Sequence, residues 1–299
     1  MKLERTRDSS QLRYLTVLLG AAVFLVTLFL PFAREGSESR SILASWSASP
    51  IPGRLAGYLY LFGGITVVAI VAIAGLTQER ARRWTRDAIA IVATAWSFPW
   101  LGRIVNFRGT SFHLEVGYWL LIASLLLIIS GSAGVTVTDR RRGSRNEVTD
   151  PLTPGPRSRY GYVVVLVAMG AFLASLALPI VRFGAGPSSV SVSAMSLWEI
   201  DRHIGGILTF LGGLVTIAAT AILGIRARAA APWIAYALVG AVAVWSFFWA
   251  AFLLSLLPGF SVGIGFWALT LSVGLTAWGA LEAFLTARDA PECHAENAA

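Results

Sequence analysis

The chain has 299 residues, 56% of them hydrophobic and only 13% charged, with a formal net charge of +8. Soluble domains carry about 25% charged residues, so this chain cannot cover a water-facing surface, and lipid is the solvent that suits it. Its basic residues flank apolar runs, as membrane anchors do, and form no basic stripe with interleaved aromatics, which argues against nucleic acid as a partner.

The first apolar run, Tyr14 to Ala33, exceeds the roughly 7–15 residues of a signal-peptide core and lacks an A-x-A cleavage pattern. It reads as a retained helix. It closes on Leu30-Pro31-Phe32-Ala33-Arg34. Proline breaks a helix cheaply at its end, and Arg34 then lands among headgroups as an anchor. A serine- and glycine-rich outer loop, 34–54, follows, with Trp46 near its end. The second span, 55–77, carries Gly63-Gly64, small residues that allow close helix approach. The third, 87–105, carries Trp96-Ser97-Phe98-Pro99-Trp100, placing Trp96 and Trp100 on one helical face for packing and interfacial anchoring. His113 and Glu115 precede the fourth span, 114–135, which opens on Gly117-Tyr118-Trp119.

Residues 13–134 are then read out again at 161–281, with an offset near 148–149. Pro31 and Arg34 return as Pro179 and Arg182. Trp96 and Trp100 return as Trp245 and Trp249, and Trp119 returns as Trp267. The second set of spans is 161–181, 206–225, 233–256 and 263–285. Its long outer loop, 182–205, holds Glu199, Asp201 and His203. The expected fold is therefore an all-α polytopic membrane protein. Eight transmembrane helices form two parallel four-helix repeats, 1–135 and 161–285. A cytoplasmic Arg/Pro-rich linker, 136–160, joins them, and 286–299 is a disordered tail.

Orientation follows from the basic residues. With the N-terminus inside, 17 of them are cytoplasmic and 7 external. Both termini then face the cytoplasm across the cell membrane. An even helix count per half makes the relation a pseudo-twofold along the membrane normal. Of 24 basic residues only Lys2 is lysine, a bias that points to a GC-rich bacterial source.

The chemical signals are sparse. The single cysteine, Cys293, permits no disulfide within the chain and no CxxC motif. His113, Glu115, Glu199, Asp201 and His203 form an outer polar cluster, the nearest thing to a site, but they match no metal motif. Ordinary loop polarity is the expectation, with no catalytic residue, metal or cofactor. No ionisable side chain falls in the central third of any span, which weighs against a proton-coupled carrier. Thr66, Ser124, Thr216, Thr220 and Ser272, near the midplane, can bond their own helix backbone.

With Leu30-Pro31 and Leu178-Pro179 closing first helices, and Gly117-Tyr118-Trp119 and Gly265-Phe266-Trp267 opening fourth helices, the chain resembles a tandem duplication of a group of uncharacterised bacterial four-helix membrane proteins. The resemblance covers the membrane portion and implies no catalytic residues. The layout is also similar to claudin-like proteins, without their paired loop cysteines. The expected function is a non-enzymatic accessory or scaffold component, or an outer-leaflet lipid-binding component. The bilayer, other membrane proteins or a lipid ligand would be its partners. A transporter of a neutral or hydrophobic substrate is the first alternative, and an enzyme of lipid or envelope metabolism the second.

Overall fold

The computed structural model describes residues 2–35, 38–47, 55, 57–77, 82–108, 113–143, 159–183, 190–193, 204–226, 232–256 and 261–289. In the first half, helix α1 (Lys2–Thr27) leads into strands β1 (Pro31–Glu35) and β2 (Glu38–Ser41) and a short helix α2 (Ile42–Ser47). A π-helical turn, Leu59–Gly63, opens α3 (Gly64–Thr77). Then come α4 (Arg82–Arg108), β3 (His113–Leu114) and α5 (Val116–Gly143). The second half runs α6 (Tyr160–Ser175), β4 (Pro179–Phe183), β5 (Val190–Ser193), α7 (Ile204–Arg226), α8 (Pro232–Leu256), β6 (Ser261–Val262) and α9 (Ile264–Asp289).

The molecule is predominantly helical. Four helical stretches are long and apolar enough to cross a membrane: Leu59–Thr77, Val116–Gly134, Trp233–Leu256 and Ile264–Ala287. Four shorter apolar stretches accompany them: Gln11–Thr27, Ala88–Gly102, Tyr160–Ser175 and Leu211–Arg226. Large apolar side chains such as Leu19, Ile70, Leu126, Val167, Val215 and Leu271 point outward along these helices. That surface would aggregate in water and is at home in lipid.

The helices end one turn before the prolines rather than at them. α1 stops at Thr27 and α6 at Ser175, each before the proline. The buried hydroxyls of these residues donate to Phe24 O and Phe172 O, both at 2.6 Å. The backbone then tightens into i→i−3 bonds, Leu30 N to Thr27 O at 3.3 Å and Leu178 N to Ser175 O at 3.1 Å. Pro31 and Pro179 have no N–H to reach the Thr27 and Ser175 carbonyls, and their rings crowd those carbonyls, so each helix closes four residues ahead of its proline. Pro31 and Pro179 instead begin strands, a position where a missing N–H is tolerated.

The segments read as outer loops hold β-structure. Each half has a three-stranded antiparallel sheet, ordered β2-β1-β3 in one and β5-β4-β6 in the other. Both break register after the proline. The bulged residues, Phe32 and Ile180, turn into the core. Two helices also overrun their expected ends. α5 continues to Gly143, so 136–143 is helix rather than linker, and α9 continues to Asp289, so 286–289 is helix rather than disordered tail. The rest of both segments lies outside the described residues.

Within each half the first and last long helices lie side by side, α1 on α5 and α6 on α9. Between the halves, α4 packs on α7 and α8, and α3 packs on α8. Val92, early in α4, meets Gly240, early in α8.

Candidate functional site

Each half has an aromatic centre of the same composition. Phe24 meets Trp96 and Trp100 edge-on, with centroids 4.9 Å away in both cases. Phe172 meets Trp245 at 4.9 Å and Trp249 at 4.7 Å, also edge-on. Both phenylalanines are fully buried, and the four tryptophans nearly so. T-shaped contact aligns a ring's positive edge with its neighbour's negative face. The sequence reading divided these tryptophans between packing and an interfacial belt, and burial assigns them to packing. Trp119, Trp267 and Trp278, by contrast, are all more than half exposed, at 56%, 63% and 58%.

The seam between the halves is reciprocal. A Cβ at Gly63 would lie 2.6 Å from the Phe247 ring, and one at Gly212 would run into the Phe98 ring. Each Trp-Ser-Phe-x-Trp motif thus sends its tryptophans into its own half and its phenylalanine into a glycine notch of the other. Gly64 and Gly213, the second glycine of each pair, make room for Trp96 and Trp245. Trp96 Nε1 and Trp245 Nε1 are buried and have no hydrogen-bond partner among the described residues.

The midplane hydroxyls named from the sequence are satisfied locally, whereas the buried Ser246 hydroxyl has no partner among the described residues. Thr66, Ser124, Thr216, Thr220 and Ser272 each donate to a carbonyl of their own helix at 2.7–3.0 Å. The sequence pointed to this. It gave no sign of the tie between helices from Tyr14 Oη to Thr85 Oγ1 at 3.1 Å. The Tyr14 ring sits against Gly75, as Tyr162 does against Gly224. These pairs share the repeat offset, and that spacing was the signal that could have found them.

In the two sheets, Arg34 and Arg182 occupy corresponding places on the central strands. Arg34 is flanked by Ser39 and His113, and Arg182 by Ser191 and Ser261. Both arginines are exposed. Directly opposite residues in antiparallel strands project from the same face, so each sheet displays one polar row. Ser39 Oγ donates to Glu115 Oε1 at 2.6 Å. Gly117 and Gly265 allow the helices behind to approach the proline segments closely, since a Cβ at either would lie 2.6–2.7 Å from a Pro31 or Leu178 carbonyl oxygen.

Of the polar cluster expected from sequence, the structure therefore places Glu115 against Ser39, and the His113 backbone beside Arg34. Glu199, Asp201 and His203 lie outside the described residues. No group of three or more His, Cys, Asp or Glu side chains able to hold a metal occurs among the described residues. Comparison with known proteins returns no matching family model, no matching curated relative and no matching solved structure.

Proposed function

We propose that this chain is a non-enzymatic accessory or scaffold protein of the cell membrane. It spans the bilayer eight times as two parallel four-helix repeats. Both termini are cytoplasmic, and both sheets face outward, where they can meet a lipid ligand or another membrane protein. The arginine distribution supports the orientation. The shared strand order, aromatic centres and reciprocal glycine notches support the parallel repeat. The family resemblance noted in the sequence is consistent with both.

The observation that carries the reading is the filled seam, with Phe98 and Phe247 seated in glycine notches of the opposite half. A carrier alternates access by moving one repeat against the other around a central site. Rings locked reciprocally across that boundary favour a rigid body over a moving one. Val92, fully buried at the seam, provides the test. Val92→Cys, made with Cys293→Ser, should stay unlabelled by a water-soluble thiol reagent from either side of the membrane. Labelling would reject the scaffold in favour of a pathway.

The transporter alternative keeps one supporting observation. The Trp96 and Trp245 indole N–H groups are buried donors at corresponding positions beside the seam, and a neutral polar substrate could use them. An enzyme built on His113, Glu115, Glu199, Asp201 and His203 gains no such support.

A further inference from the structure

Glu115 and Gly263 occupy the same place in the two halves. Each directly follows a two-residue strand, β3 or β6, and directly precedes a long helix. In the first half, Ser39 stands opposite Arg34 and gives its proton to Glu115 at 2.6 Å. The carboxylate is thus held in the polar row, beside the arginine's neighbour. In the second half Ser191 stands opposite Arg182 in the same register, but residue 263 brings no carboxylate. Nor can it, because a Cβ there would run into the Pro179 carbonyl oxygen.

The surroundings differ in the same direction. The first sheet carries Arg34, and the Glu115 carboxylate lies against that sheet at Ser39. The described residues of the second carry Arg182 and no acid. Val181, next to Arg182, is buried, whereas Arg182, Ser191 and Ser261 are all exposed. Among the described residues neither the Arg34 nor the Arg182 guanidinium has a partner, and the halves differ at the serine: Glu115 takes the Ser39 hydroxyl, the Ser191 hydroxyl has no partner, and Ser261 makes a long bond to the Arg182 carbonyl, 3.3 Å.

We propose that Arg182 and Ser191, with Ser261 beside them, bind a phosphate group, in the position that Glu115 fills as an internal substitute in the first half. The guanidinium fork matches two phosphate oxygens, and the serine hydroxyl supplies a further donor. The nearby N-terminus of α9 adds favourable potential for an anion. At the height of the headgroups, the phosphate of an anionic phospholipid is the first source of this chemistry, and free phosphate is the second.

The site rests on the outward placement proposed above, and the two fail separately. Labelling of Ser191→Cys only from the cytoplasmic side rejects the placement. Phosphate binding that ignores Arg182 rejects the site.

The experiment uses the full chain in nanodiscs of phosphatidylcholine containing a minor fraction of phosphatidylglycerol, with retained lipid counted by native mass spectrometry. A parallel arm titrates inorganic phosphate into detergent-solubilised protein by calorimetry. Arg182→Gln should weaken retention about tenfold, the scale of one lost charge-assisted contact. Ser191→Ala should weaken it about threefold, as for a neutral hydrogen bond. Arg34→Gln should leave retention unchanged. Glu115→Gln should add a second, weaker lipid at the first sheet.

Saturation by inorganic phosphate without lipid retention supports the site and assigns it to a soluble phosphate. Equal losses in Arg34→Gln and Arg182→Gln overturn the proposal, since general surface charge would then explain both. Binding in neither arm overturns it as well. Should Arg182→Gln fail to fold, Arg182→Lys keeps the charge without the fork, and an unchanged affinity in that variant rejects the bidentate contact.

Discussion

Truncation of Phe172 to alanine tests the aromatic centre most directly. The ring is fully buried and makes two edge-on contacts, 4.9 Å to Trp245 and 4.7 Å to Trp249. Each such pair contributes about 0.5–1.5 kcal/mol. The void left behind costs about 24 cal/mol per Å³ that its surroundings fail to fill. Water transfer adds little here, because a helix that separates within the bilayer meets lipid as apolar as the core. The expected loss is therefore about 3 kcal/mol, at the low end of the soluble range for a buried aromatic. Reversible denaturant unfolding in mixed micelles measures it. Trp267→Ala is the control, since that ring is 63% exposed, and it should change stability by less than about 0.5 kcal/mol. If Phe172→Ala falls within that margin, or if the control loses as much, the centre does not hold the half together.

Three further outcomes follow from the same geometry. Gly212→Val drives a side chain into Phe98 and should destabilise by about 1–3 kcal/mol. Gly170→Val, with nothing near its Cβ position, should be tolerated; equal effects in the two would undo the notch argument. Cysteines at Ser39 and Ser191 should react with an impermeant reagent in intact cells while Cys293 does not, and the reverse pattern would invert the topology. His113→Ala and His203→Ala should leave stability and growth unchanged, and an essential histidine or a histidine-dependent bound metal would restore the enzyme reading.

Helices were legible wherever long apolar runs demanded them. The repeated Trp-Ser-Phe-x-Trp segments marked the packing centre, although sequence alone could not divide buried Trp100 from exposed Trp119, because both lie near the end of an apolar run. The strands were not legible, for a physical reason. His113–Leu114 and Ser261–Val262 are two residues long, too short for any alternation to develop. The opposite edge strands, Glu38–Ser41 and Val190–Ser193, are serine-rich segments whose pairing is set by tertiary context rather than by propensity. The prolines marked where the first helices stop, although the stop falls a turn early, at Thr27 and Ser175, because a proline disturbs the carbonyl four residues before it. The crossing of Phe98 to Gly212 and of Phe247 to Gly63 was hidden for another reason. A repeat shows which residues correspond, and says nothing of which half a side chain enters.

That crossing bears on how such a chain could arise. A surface carrying both a notch and the ring that fills it is self-complementary, the condition for an isologous dimer. A lone four-helix unit with Gly-Gly on its second helix and Trp-Ser-Phe on its third already has everything needed to bind a copy of itself through this seam. Fusing two copies adds no new contact and raises the local concentration of each for the other. Once fused, the copies are free to diverge away from the seam, as the sheets have done at Glu115 and Gly263. The two halves, produced as separate polypeptides, retain the means of finding one another.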